Sequence, residues 1–285
     1  MSEGLIVKIN SGIYTVKTEG GTTECSLRGK FRIEKNVPVV GDVCEFSSGV
    51  IEKIAPRKNY MIRPKLANVD VLLVVFSVSD PAPQLEIIDK ITVMAEKNGI
   101  IPLIVITKTD LADCDDTDRY KNIYLSAGYK VIVTSAEKED DIENLLKDEL
   151  RGKIAAVAGC SGVGKSTLLN RIFGGNELRT GEISAKNKRG RHTTTHIQLF
   201  EKFGGYIADT PGFTSFEIID AKKEELEQFF PEIRKNLGGC RFAGCTHINE
   251  PDCAVKDALE AGDISVCRYE NYVKFYNDIK SRQSY

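Results

Sequence analysis

The period of the apolar positions changes twice along this chain of 285 residues. From residue 1 to about 62, apolar residues come in short runs: Leu5–Ile9, Ile13–Val16, Thr22–Leu27, Asp42–Phe46 and Val50–Ile54, broken by Ser11-Gly12 and Gly20-Gly21. β-Branched residues between glycine turns specify strands, and no helical period of useful length intervenes. About five strands in so short a stretch predict a small closed barrel, an OB-fold in preference to an SH3-like barrel. Arg57, Lys58, Arg63 and Lys65, interrupted by Pro56 and Pro64, then read as a basic linker.

From about residue 66 to 218 the period alternates. Val69–Val78, Ile101–Thr107, Lys130–Thr134 and Ile154–Gly159 read as strands, and Pro83–Asn98, Asp116–Gly128 and Ile142–Leu150 as helices. Such alternation predicts an α/β domain with a mostly parallel sheet covered on both faces, whose ligands bind at the carboxyl ends of the strands. From 219 to 285 the pattern changes again. Ala221–Phe230 and Tyr269–Ser281 read as helices, with a cysteine- and histidine-rich stretch between them. The expected domains are therefore 1–62, 66–218 and 219–285.

The chemistry falls where the strands end. Ile154–Ala158 runs into Gly159-Cys160-Ser161-Gly162-Val163-Gly164-Lys165-Ser166, which fits G-x-x-x-x-G-K-[ST], and Thr167 continues as a helix. Strand, glycine loop and helix N-terminus direct backbone N–H groups at an anion, Lys165 adds a positive charge for the β- and γ-phosphates, and the Ser166 hydroxyl can ligate Mg²⁺. Tyr206–Asp209 is a second apolar run ending in an acid, followed by Thr210-Pro211-Gly212. Asp209 is expected to hold Mg²⁺ through water, and the Gly212 N–H to sense the γ-phosphate. Between them, the Lys-, Arg- and Thr-rich stretch Arg179–His196 reads as a loop in which a threonine, Thr194, completes the Mg²⁺ shell. A bland alternative for that stretch is a solvated basic loop or an RNA backbone contact.

Upstream of the loop lies Thr107-Lys108-Thr109-Asp110. The Asp110 carboxylate can accept from guanine N1–H and the exocyclic amine, a pair that adenine does not offer. The Lys108 stem would cover the base, and Ser135-Ala136 can supply an N–H to the guanine oxygen. In an ordinary small GTPase this element follows the phosphate loop; here it precedes it, so the nucleotide-binding parts stand in rotated order.

Cys240, Cys245, His247 and Cys253 form C-x₄-C-x-H-x₅-C. Three thiolates and an imidazole make a closed tetrahedral set, which is the signature of a structural Zn²⁺ site. The apolar content around it looks thin, so the metal is expected to staple this segment. The other five of the eight cysteines, Cys25, Cys44, Cys114, Cys160 and Cys267, read as small apolar residues, and no secretion signal points to disulfides. The net charge of −2 at pH 7 gives no global sign of nucleic-acid binding, so any such surface must be local. No apolar run is long enough to cross a bilayer.

Barrel, rotated GTPase motifs and metal knuckle together resemble the circularly permuted, ribosome small-subunit-dependent GTPase family (RsgA/YjeQ) over nearly the whole chain. The most specific marks are the phosphate loop, Gly190-Arg191-His192-Thr193-Thr194-Thr195, Asp209-Thr210-Pro211-Gly212-Phe213, and the knuckle running through Glu250-Pro251-Asp252-Cys253. The resemblance implies an RNA-binding OB-fold, GTP hydrolysis stimulated by the small ribosomal subunit, a role in late maturation of that subunit, Zn²⁺ at the four residues above, and His192 in catalysis. Phe213 occupies the place where many GTPases carry a water-orienting Gln, which strengthens the need for a group such as His192. Thr107 departs from the Asn usual in the family and leaves one supporting contact of the base motif in question. A cytoplasmic monomer without membrane contact is expected. Competing readings are a P-loop ATPase or kinase, and an RNA-binding module whose nucleotide pocket only stabilises the fold.

Overall fold

The computed structural model describes residues 1–32, 37–135, 141–174, 197–209 and 221–283. In chain order the elements are β1 (Ser2–Asn10), β2 (Ile13–Thr18), β3 (Gly21–Leu27), β4 (Val43–Ser47), β5 (Val50–Ile54), β6 (Tyr60–Ile62), β7 (Lys65–Ala67), β8 (Val71–Ser77), α1 (Leu85–Lys97), β9 (Ile101–Thr107), α2 (Cys114–Ser126), β10 (Lys130–Val133), α3 (Ile142–Leu150), β11 (Ile154–Ala158), α4 (Lys165–Ile172), β12 (Gln198–Lys202), β13 (Gly205–Asp209), α5 (Pro231–Arg234), α6 (Ala254–Glu260) and α7 (Val266–Gln283). Short 3-10 turns lie at Thr109–Leu111 and Lys223–Phe229. The described residues fall into two units, each gathered from several stretches: one from Met1–Leu72, Asp141–Ala158 and Lys165–Phe213, the other from Leu73–Asp140, Gly159–Gly164 and Thr214–Tyr285.

In the first unit the expected barrel closes. β1 pairs antiparallel with both β2 and β4, β2 with β3, β3 runs parallel to β5, and β5 pairs antiparallel with β4. Closure leaves an interior filled by Ile6, Val16, Cys25, Phe31, Cys44, Phe46 and Ile51, as alternation along half-buried strands requires. β1 is long enough to serve a third strand: after a register shift between Ile6 and Lys8, Lys8 pairs with Gln198 of β12. β12 itself pairs antiparallel with β13, and β13 runs parallel to β11.

The presumed linker is instead folded. β6 and β7 form a hairpin, and Arg57 and Lys58 are paired with acids, Asp42 and Asp70. The buried Asp42 carboxylate accepts from Arg57 Nε at 2.7 Å, Arg57 Nη2 at 2.8 Å and Val39 N at 2.7 Å. The Asn59 amide pairs with both backbone groups of Val69, at 2.7 and 2.9 Å, in place of a neighbouring strand. A buried carboxylate needs several donors to be tolerated, and Arg57 supplies two of them.

In the second unit β10, β9 and β8 lie side by side, with β9 and β10 parallel. β8 is buried throughout and β9 from Pro102 onward, as in a sheet covered on both faces. The C-terminal segment has a larger apolar core than its sequence suggested: Leu226, Phe230, Ile233, Val255, Ile264, Tyr272, Phe275 and Ile279 pack with Cys245 and Cys253. These residues are spread over short elements, so no single window shows a period. The helix expected at Ala221–Phe230 is a 3-10 turn followed by α5, which Pro231 opens. α6 was not anticipated.

A fully buried ion cluster ties α7 to α1 within this unit. Arg268 Nη1 lies 2.7 Å from Asp89 Oδ1, and its Nε and Nη2 reach the Glu232 carboxylate at 2.7 and 3.1 Å. Asn271 Nδ2 and the Tyr124 hydroxyl also donate to Asp89, at 2.6 and 3.2 Å. The guanidinium sits 4.9 Å from the Phe230 ring centre. Charges are found at such depth only when paired and hydrogen-bonded. Among the described residues no helix is long and apolar enough to cross a membrane.

Candidate functional site

In the second unit the chain leaves the end of β9 through Thr107 and turns at Lys108, whose φ of 57° is left-handed. That turn offers Asp110 at the sheet's carboxyl edge. The Lys108 ammonium donates to Asp80 O at 2.5 Å, and the Asp110 carboxylate accepts the hydroxyl of the buried Ser135. The pair expected to read guanine from two separate strand ends is therefore already in contact. Ala136 lies outside the described residues.

The same unit carries the first part of the phosphate loop, Gly159–Gly164. Gly159 has a φ of 148°, and a Cβ there would stand 2.1 Å from Val75 O, so only glycine lets the loop start this close to β8. Thr107 reaches the loop from the other side. Its Oγ1 is 2.6 Å from Val163 O and 3.1 Å from Phe76 O. A hydroxyl has one proton to give, and the shorter contact, to the loop, takes it. Where the family's usual Asn raised doubt about a supporting contact, the threonine hydroxyl makes one of its own, between base motif and phosphate loop. A small apolar cavity of about 20 Å³ lies beside the loop, lined by Phe76, Pro81, Ile88, Ile91, Cys160 and Val163.

In the first unit β11 is the strand that feeds the loop, and Lys165, Ser166 and Thr167 form the opening turn of α4, held by buried Leu168, Leu169 and Ile172. Asp209 ends β13, which pairs with β11 in parallel at Ala155↔Ile207 and Ala156↔Ala208. That register sets Asp209 beside the carboxyl end of β11. Burial pushes the Asp209 carboxyl above its ordinary value, a cost that a bound dication reverses. A carboxylate at one strand end and a hydroxyl at the start of the helix after the other are the oxygen donors that Mg²⁺ takes. His192, Thr194 and Gly212 lie outside the described residues.

The knuckle also lies in the second unit. The ligand atoms of Cys240, Cys245, His247 and Cys253 all lie within 4.8 Å of one another. Cys240 Sγ stands 3.8 Å from Cys253 Sγ, and His247 Nδ1 stands 3.5 and 3.3 Å from those two sulfurs. A tetrahedral ion with zinc's bond lengths requires separations of about 3.8 Å between sulfurs and about 3.5 Å between sulfur and nitrogen, so the set fits Zn²⁺. Burial, with the neighbouring thiols, raises the Cys245 thiol above its ordinary range.

Sequence reasoning named the four candidate ligands and missed what holds them. Glu250 is the keystone: one carboxylate oxygen accepts from Thr246 N and Oγ1 at 3.0 and 2.7 Å, the other from Ile248 N and Asn249 N at 3.1 Å each. Tyr269 and Tyr272 donate to His247 O and Thr246 O at 2.6 and 2.9 Å. The Arg268 cluster was missed too, although Asp89 amid the apolar stripe of α1 was a visible signal. A charge on a buried face demands a partner.

Comparison with known proteins agrees with this geometry. Residues 3–52 match the model of the RsgA N-terminal domain and residues 54–219 that of the RsgA GTPase. A protein of Geobacillus kaustophilus named small ribosomal subunit biogenesis GTPase RsgA is 43% identical, with 99% of each chain covered. One of the same name from Halalkalibacterium halodurans is also 43% identical, over 99% of this chain and 98% of the other. Among solved structures, YjeQ from Thermotoga maritima superposes with a TM-score of 0.82 at 41% identity, covering 97% of this chain and 98% of its own. YloQ, described as a circularly permuted GTPase, gives 0.81 at 38% identity, covering 99% and 96%.

Proposed function

This chain belongs to the RsgA GTPase family, and we propose that it binds the small ribosomal subunit late in its assembly and hydrolyses GTP to GDP and phosphate there. Residues 1–62 form the RNA-binding barrel, 66–218 the permuted GTPase domain and 219–285 the metal-binding domain. The work is that of the cytoplasm, and the chain acts as a monomer.

At the nucleotide, the backbone from Gly159 to Thr167 wraps the phosphates and Lys165 neutralises charge on the β- and γ-oxygens. Ser166, Thr194 and Asp209 hold the Mg²⁺ that GTP brings, and Gly212 reads the γ-phosphate. Asp110 selects guanine, Lys108 covers it, and Ser135 and Ala136 close the base loop. His192 orients the attacking water in place of the missing glutamine. Zn²⁺, held by Cys240, Cys245, His247 and Cys253, is structural: four protein ligands leave no open position for chemistry.

One observation carries the reading of the nucleotide site: the Thr107 hydroxyl bonds Val163 O across 56 positions of sequence. That bond is what a guanine motif placed upstream of its phosphate loop needs in order to serve a single nucleotide. The deciding measurement is the rate of phosphate release with and without purified small subunits, with ATP as competitor. Stimulation by subunits with GTP outcompeting ATP is expected. An unchanged rate, or equal competition by ATP, refutes the assignment.

A further inference from the structure

We propose that Glu227 is part of the metal centre, holding His247 as the outer partner of its ring. The two nitrogens of that ring face different groups. Nδ1 lies 3.5 and 3.3 Å from Cys240 and Cys253 Sγ, whereas Nε2 lies 3.1 Å from Glu227 Oε2. A neutral imidazole carries one proton, and the nitrogen that ligates a metal must be bare. The proton therefore sits on Nε2 and is donated to Glu227, which selects the tautomer and fixes the plane of the ring.

Glu227 is itself fixed. It lies in the 3-10 turn Lys223–Phe229, where the neighbouring Leu226 is 0% exposed within the apolar core that also holds Cys245 and Cys253. His247, with a left-handed φ of 62°, is held from its backbone side by Tyr269. Backbone, Nδ1 and Nε2 are thus each assigned a partner, and the ring has no other orientation that keeps all three.

Charge is the smaller part of this role. Three thiolates already outweigh a dication by one unit, so a further negative group adds no net attraction. What Glu227 supplies is an acceptor at the right place, which an amide oxygen also offers. The consequence is that the metal centre is not confined to residues 240–253. It reaches back to Lys223–Phe229, the first described element after Asp209 in chain order.

This inference rests on the zinc reading above, and the test separates the two. The full-length protein is loaded with one Zn²⁺ and titrated with a chromogenic chelator, and its Co²⁺ form is examined for the d–d absorption of a tetrahedral thiolate site. Glu227→Ala is expected to weaken zinc affinity about 10- to 100-fold and to alter the cobalt spectrum. Glu227→Gln is expected to stay within about threefold of the parent, since it keeps the acceptor. An alanine variant with parental affinity and spectrum overturns the role of Glu227 while leaving the zinc site intact. A parent protein that binds no zinc overturns both. Hydrogen exchange supplies an independent arm: on chelation Lys223–Phe229 should lose protection together with residues 240–253, and unchanged protection in that turn also overturns the proposal.

Discussion

The phosphate loop and the metal knuckle each present a fixed set of groups to a charged ligand, and they are built by different means. The loop relies on backbone: a glycine whose φ of 148° lets it approach Val75 O, strand ends that aim it, and one side-chain bond from Thr107. The knuckle relies on side chains held by other side chains, with Glu250 taking four donors, Tyr269 and Glu227 reaching His247, and Tyr272 reaching Thr246 O. The ligand's sign explains the difference. An anion is bound by N–H groups that every backbone already has, so conformation suffices. A cation at the knuckle would be bound by thiols and an imidazole, whose free rotation must be stopped by further contacts.

Breaking the support behind the knuckle should have the largest effect. Arg268→Met leaves Asp89 and Glu232 buried without their cation and is expected to cost about 3–5 kcal/mol, read as a lowered midpoint in urea. Replacing Asp89 and Glu232 by Leu in the same chain should recover most of that loss, because an apolar cluster of similar volume is about as stable as a buried ion group. If the single variant unfolds at the parental midpoint, the cluster does not hold α7 in place.

On the loop side the expected effect is smaller and falls on binding. Thr107→Val keeps the shape and removes the hydroxyl, leaving the buried Val163 O without its donor. A loss of about 1–3 kcal/mol in GTP binding is expected, measured with a fluorescent guanine nucleotide, and equal affinity would show that base motif and loop act independently.

The smallest effect sharpens the contrast through pH. Partial burial alone would raise the Glu250 carboxyl, but donation from Thr246 and Ile248 outweighs it and brings the group from its ordinary 4.5 down to about 2. A depressed acid contributes stability that is complete above about 4.5 and is lost as the pH falls through about 2. Protection of residues 246–250 in the metal-free protein should follow that window, and Glu250→Gln should weaken it already at neutral pH. The same loop melting at one pH in parent and variant would remove Glu250 from its place.

Much of this was legible from composition and spacing. The barrel strands, the alternation of β9, α2 and β10, the phosphate loop and the four candidate metal ligands all follow local rules, since a strand, a glycine turn or a ligand spacing is written in adjacent residues. Three things were not. The Arg57–Lys65 run reads as a linker until Asp42 takes up Arg57 and β6 pairs with β7. The core of the C-terminal segment is spread over short elements with no common period. Asp89, Glu232 and Arg268 carry no motif at all, and Glu227 is one acid among several in its turn.

The sequence by itself determined which candidate groups this protein offers to phosphate, guanine and metal, because each such set is specified by residue type within a few positions of chain. Only the tertiary structure decided which groups meet: that the Thr107 hydroxyl reaches Val163, that Arg268 lies between acids 36 and 179 positions away, and that Glu227 faces His247. Contacts of that kind depend on how distant elements bury their apolar faces together, and no local pattern of residues encodes that distance.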